Sequence, residues 1–175
     1  MKKLMVASAV AMAMVAGSAM ASDNQQDQIQ FLGVVTETTC DITSNVDGAV
    51  NNVVQLGTVK KGENGELKNI VLKAKEGTNC SGLDTKKAII SFQGPLGDSG
   101  LENINGSAKN ATVTLIAKNS STPDQEVKKG HSNIEFPADL VNSDGYQFQA
   151  QLKSDAIGVT AGTFESALAY AVTYQ

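Results

Sequence analysis

Cys40 and Cys80 are the only cysteines of this 175-residue chain, and His131 is its only histidine. Nucleophilic catalysis needs a Ser, Thr or Cys served by a base, and that single imidazole would have to serve. It lies between Gly130 and Ser132-Asn133, a loop composition, and the sequence contains no GxSxG elbow, HExxH pair or Walker loop. The carboxylates are scattered without the spacing of an acid/base pair, and Asp47-Gly48 and Asp144-Gly145 stand alone where a calcium loop needs a run of acidic ligands. No catalytic residue, metal ligand or cofactor is expected. Two thiols 40 positions apart would lack two further ligands as a metal site. In an oxidising compartment an even count favours a Cys40–Cys80 disulfide.

The compartment is read from the first residues. MKKLMVASAVAMAMVAGSAMAS has two lysines, an apolar run and small residues at Ala19 and Ala21, the pattern of a secretory signal cut after Ala21. Residues 1–21 are therefore set aside, and the exported chain, expected to be soluble, is about 154 residues, enough for one domain with a sizeable core. No linker or shift of composition divides it. The exported part carries 12 lysines against 18 acidic residues, a net charge of about −6, and no arginine. Nucleic acid and anionic membranes are poor partners for such a surface.

Short alternating or β-branched runs dominate the chain: 29–35, 52–56, 69–74, 87–92, 111–117, 133–136, 146–152 and the terminal 163–174. Tyr146, Phe148, Ala150 and Leu152 share one strand face, with glutamines between them. Asp47-Gly48, Asn64-Gly65, Asn105-Gly106 and Asp144-Gly145 are dipeptides that accept the positive φ of tight turns. No stretch of ten residues has a helical period and a cap, so a helix of more than a turn or two is not expected. Seven or eight strands in this length suggest a two-sheet, immunoglobulin-like sandwich, with a closed barrel as the alternative. Tryptophan is absent, which excludes an antibody-type core.

Both ends of the exported chain are strand-like. Ile29, Phe31, Gly33 and Val35 share a face, and a glycine inside an apolar strand face weakens it unless something passes close. Phe164, Ser166, Leu168, Tyr170, Val172 and Tyr174 form the corresponding face at the C-terminus. Such terminal strands either pair with each other or leave edges that pair with another molecule.

FLGVVTETTC at 31–40, the second cysteine at 80, Gly162 fourteenth from the end and the penultimate Tyr174 resemble the pilin subunits of chaperone–usher fimbriae of Gram-negative bacteria. The resemblance spans the whole chain and is of the major-subunit type. It implies an all-β fold, an incomplete immunoglobulin-like β-sandwich completed by a strand donated from another subunit. Residues 22–36 would be the donor extension, with Ile29, Phe31, Gly33 and Val35 as its inward face, and 37–175 the sandwich domain. Gly162, Phe164, Leu168, Tyr170, Val172 and Tyr174 would lie on the strand lining the groove and gripped by a periplasmic chaperone. The implied partners are identical and neighbouring pilins, that chaperone and an outer-membrane usher, with the cell-surface fimbrium, supporting adhesion, as destination. A second reading is a pilin-like subunit that itself binds a host glycan or protein receptor, with the glycine-rich stretch 94–110 as the loop to suspect.

Overall fold

The alternation seen in the sequence becomes two facing sheets in the computed structural model, which describes residues 40–154 and 157–175. The strands are β1 (Ile42–Val46), β2 (Ala49–Val50), β3 (Lys68–Ala74), β4 (Lys87–Gln93), β5 (Leu96–Gly97), β6 (Gly100–Glu102), β7 (Thr112–Ala117), β8 (Gln125–Glu126), β9 (Asn133–Pro137), β10 (Tyr146–Lys153) and β11 (Ala169–Tyr174). A single 3-10 turn of helix, Ala138–Asn142, joins β9 to β10. One sheet runs β2-β1-β3-β10-β7-β6-β5 with β8 beside β7; the other is β11-β4-β9. All pairings between these strands are antiparallel.

Strand β10 alternates buried and half-buried along its whole length, with Tyr146, Phe148, Ala150 and Leu152 inward. These side chains meet β4 and β9 across the sandwich. The Phe148 ring lies 5.4 Å from Phe92 and 5.4 Å from Phe136, and Phe136 lies 5.0 Å from Tyr146. Such edge-on and tilted pairs suit the ring quadrupoles, so a core poor in aromatics concentrates them where the sheets meet. The Cys40–Cys80 bond is formed, with Cα atoms 5.4 Å apart, tying the approach to β1 to the loop after β3. Asn142 holds the same loop by accepting from the Cys80 N–H at 3.0 Å and donating to its carbonyl at 2.8 Å.

Several expectations change. Asp47 (φ 49°) and Gly48 (φ 88°) make the two-residue turn between β1 and β2, and Gly145 (φ 73°) turns the chain into β10. Asn64-Gly65 is not a turn: Asn64 bridges Lys153, and the Gly65 N–H donates to the Leu152 carbonyl. Asn105-Gly106 is a close approach instead, because a Cβ on Gly106 would overlap the Thr163 carbonyl oxygen. Strand β1, ITSNV, escaped notice in the sequence because its five residues are all half-buried and show no alternation. Its partner β3 defines it, with Ile42 opposite Ala74 and Val46 opposite Ile70. Residues 52–56 and 163–168, both expected as strands, have no strand pairing. The stretch 94–110, expected as a loop, contains the β5–β6 hairpin. The expected N-terminal strand at 29–35, and the boundaries after 21 and 36, lie outside the described residues.

Candidate functional site

The unpaired stretches 53–59 and 163–168 face each other across an opening between the sheets. From Ala169 onward the C-terminal run is β11, with Ala169, Ala171 and Thr173 opposite Gln93, Ser91 and Ile89 of β4. Gln175 and Lys87 exchange both backbone hydrogen bonds, at 2.9 and 2.8 Å. Bonded and non-bonded pairs alternate along an antiparallel ladder, so the odd-numbered residues point their backbone groups at β4. Tyr170, Val172 and Tyr174 point theirs the other way, and among the described residues β11 is the last strand of its sheet.

Thr163 and Glu165 keep the same parity against a different neighbour. The Thr163 carbonyl accepts from Ala108 N–H at 3.0 Å, and the Glu165 carbonyl accepts from Ile104 and Asn105 at 3.2 and 3.1 Å. Phe164 and Ser166 are thereby turned toward the opening. Among the described residues, no backbone hydrogen bond reaches the N–H or C=O of Phe164, Ser166 or Leu168. Among the described residues, the edge from Phe164 to Tyr174 therefore has no backbone partner.

The opposite rim is similar in kind. Val54, Leu56 and Val59 turn half-buried side chains onto the core, while Gln55, Gly57 and Thr58 are exposed. Its ends are tied: Val53 N–H donates to Asn51 Oδ1 at 3.0 Å, and the Ser154 hydroxyl donates to the Lys60 carbonyl at 2.7 Å. Between them, among the described residues, Val54–Val59 have no backbone hydrogen bond. Two segments with apolar inner faces, the first bent at Gly57 (φ 73°), therefore border the same opening.

The space between them is two cavities of about 570 Å³ each, sharing Val54, Leu56 and Phe164 as common wall. Leu72, Val113, Leu115, Phe148 and Ala150 form the floor of the first, and Phe92, Leu168 and Tyr170 close its far side. Ala111, Leu152 and Val159 line the second. Among the described residues, Glu165 and Lys61 are the only charged side chains on these walls. The Ser166 hydroxyl is buried at the wall without a hydrogen-bond partner among the described residues. Burial holds the Tyr170 phenol above its ordinary pKa. An apolar trough whose edges lack backbone partners among the described residues can bury side chains and complete a sheet.

Of the residues singled out in the sequence, Phe164, Leu168 and Tyr170 line the first cavity, and Gly162 and Phe164 the second. Gly162 needs to lack a side chain, because a Cβ there would overlap the Ala108 nitrogen. Val172 packs against the core and Tyr174 is buried within it, both in β11 and away from the cavities. Ile29, Phe31, Gly33 and Val35 lie outside the described residues. Of the second rim, the sequence points only to Val54 and Leu56, as part of the expected strand 52–56; Val59 joins them on the inner side after the positive φ of Gly57.

No protein-family model matches the chain. It is 42% identical over 176 residues to the F107 fimbrial protein of Escherichia coli, an alignment that covers all of both chains. It is 25% identical to the major MR/P fimbria protein of Proteus mirabilis (strain HI4320), covering 100% of this chain and 99% of that one. The K99 fimbrial protein of Escherichia coli is 27% identical over 83% of this chain and 85% of its own length. Among solved structures, the P pilus rod subunit PapA aligns with a TM-score of 0.49 at 20% identity, covering 85% of this chain and 100% of that chain. On the full-length likeness to the F107 protein, this chain belongs to the fimbrial subunits of the chaperone–usher class and is a structural subunit of a surface fimbrium.

Proposed function

We propose that the trough between residues 53–59 and 163–174 is the acceptor for a strand donated by the next subunit, and that the fimbrium grows by this exchange. The observation that carries the reading is an edge, Phe164 to Tyr174, that has no backbone partner among the described residues and borders an apolar floor from Phe164 to Tyr170. An added strand would satisfy those backbone groups and cover the floor at once, which is strand addition as a mode of binding. The donor is the segment 22–36, left at the N-terminus when residues 1–21 are removed, with Ile29, Phe31, Gly33 and Val35 facing the trough. Each large apolar side chain buried there contributes roughly 1.5–3 kcal/mol. Contacts of this kind are head-to-tail, so they extend into an open filament.

Before assembly the same edge would be covered by a periplasmic chaperone, and an outer-membrane usher would exchange chaperone for donor. An uncovered trough of this size is an aggregation hazard, which is the physical reason for an escort. The test is thermal unfolding of a chain beginning at Glu37, disulfide intact, with and without a synthetic peptide spanning Gln26 to Thr36. A ligand that binds only the folded state raises its stability by mass action. The expected result is a melting temperature higher by tens of degrees with peptide; a stable domain that ignores the peptide would refute the acceptor reading.

A further inference from the structure

The rim 163–168 stays extended although β4 supports it only from Ala169 onward. The support comes from residues 103–108, which follow β6. The Asn103 carboxamide makes four hydrogen bonds there. Its Oδ1 accepts from Gly106 N–H and Glu165 N–H, each at 2.9 Å, and its Nδ2 donates to the Ala108 carbonyl at 2.7 Å and the Thr163 carbonyl at 3.0 Å. That uses the amide's whole capacity of two donations and two acceptances. Two of the bonds hold the loop's own turn and two hold the rim. Ser107 and Thr163 add a reciprocal pair: Ser107 N–H donates to Thr163 Oγ1 at 3.1 Å, and Thr163 N–H donates to Ser107 Oγ at 3.0 Å. The backbones are close enough that a Cβ on either Gly106 or Gly162 would overlap the other segment.

We infer that residues 103–108 are a clamp that stands in for a neighbouring strand and presets the rim for its donor, with Asn103 as the positioning residue. This rests on the reading of the trough as a strand acceptor. The clamp takes up the backbone groups of Thr163 and Glu165 on one side, which leaves those of Phe164 and Ser166 aimed into the trough. Without it the rim would have to be ordered as the donor arrives, and that ordering opposes binding. A segment suspected from sequence of contacting a receptor is thus built to shape the assembly groove.

Two measurements on the exported chain, Ser22–Gln175, test this. The first is residue-resolved hydrogen exchange of the monomer. Amides of Thr163 and Glu165 exchange slowly and those of Phe164 and Ser166 quickly, and excess Gln26–Thr36 peptide slows the second pair. The second is growth of denaturant-resistant oligomer ladders by wild type, Asn103→Ala and Asn103→Asp. Losing both rim bonds in Asn103→Ala should speed exchange at Glu165, whose N–H loses its acceptor, and slow ladder growth, each by about tenfold, with a smaller effect at Thr163, whose N–H is held by Ser107 Oγ. Exchange within β10 should be unchanged. Asn103→Asp keeps the acceptor side but turns a carboxylate oxygen onto the Ala108 and Thr163 carbonyls, so it should be impaired at least as much as Asn103→Ala. Gly106→Ala keeps the Asn103 carboxamide but sets a Cβ against both the Thr163 carbonyl oxygen and Asn103 Oδ1, which drives loop and rim apart, and should copy Asn103→Ala. Wild type that forms no ladder and ignores the peptide removes the acceptor reading and the clamp with it. Wild type that forms ladders while Asn103→Ala matches its rate overturns the clamp alone. Should Asn103→Ala fail to fold, the wild-type exchange pattern decides, since equal exchange at Thr163 and Phe164 overturns the clamp.

Discussion

Tyr146 is a single side chain on which neutral and alkaline stability both depend. It is fully buried at the meeting of the two sheets, and its hydroxyl donates to the Ala138 carbonyl at 2.9 Å. Burial, with the Tyr174 phenol beside it adding to the effect, holds its proton far above the ordinary phenol range. Below about pH 10 folded and unfolded chains are both protonated at this site, and it adds no pH dependence. Above that, the unfolded chain releases a proton that the folded chain keeps, so stability falls as pH rises, by up to about 1.4 kcal/mol per unit for this one group. Tyr146→Phe should lose about 1 kcal/mol at pH 8, the net worth of one hydrogen bond, and decline less steeply between pH 10 and 11. Urea midpoints at the three pH values check this; an unchanged alkaline slope would remove the buried phenol as its cause. Cys40 matters through the unfolded state instead. A bridge closing a separation of 40 residues contributes about 4 kcal/mol by loop entropy, so Cys40→Ala and reduced wild type should fall by similar amounts in denaturant.

At the scale of elements, the two rims explain what could and could not be read in the sequence. The alternation of apolar residues in 163–174 was legible because side-chain period needs no partner. That only Ala169–Tyr174 would be a paired strand was not legible, since pairing depends on where β4 ends. Of the other rim, Val54 and Leu56 belonged to the expected strand 52–56, but nothing local said that it would find no partner among the described strands or that Gly57 would bring Val59 to the same side. Strand β1 and the clamp were hidden for a related reason: β1 is defined by β3, and Asn103 by residues 60 and 62 positions away. The disulfide was legible because two thiols in an exported chain leave few choices. A rim with distinct faces makes a sharp prediction. Leu56→Asp puts a charge on the trough wall and should weaken capture of the Gln26–Thr36 peptide by at least about tenfold, as expected for a carboxylate left in an apolar site. Gln55→Asp, one residue away on the exposed face, should leave it unchanged. Isothermal titration compares the two, and equal losses would mean that 53–59 is not a rim with an inner face.

For the whole molecule, a trough that accepts a strand, as proposed, makes stability and assembly draw on the same surface. The described sheets bring their cores together at Phe92, Phe136, Phe148 and Tyr146, yet leave Phe148 and Leu115 as the floor of an apolar trough. If the trough accepts a strand, as proposed, that strand comes from a second copy or from the chain itself. Strand β11 ends at Tyr174, one residue before the last, so an added strand could follow it through a short hairpin. Fusing a copy of residues 26–36 after Gln175 through about four turn-forming residues would make donation intramolecular, at an effective concentration of order millimolar. The fused chain should remain monomeric, melt tens of degrees above the chain that begins at Glu37, and form no ladder even at concentrations where the unfused exported chain does. The linker also reports direction: a short hairpin permits only an antiparallel donor, whereas a parallel one needs a crossover of a dozen or more residues. If the four-residue fusion stays labile and a long linker rescues it, the donor lies parallel to β11; if neither linker stabilises the chain, strand donation is not what completes this sandwich.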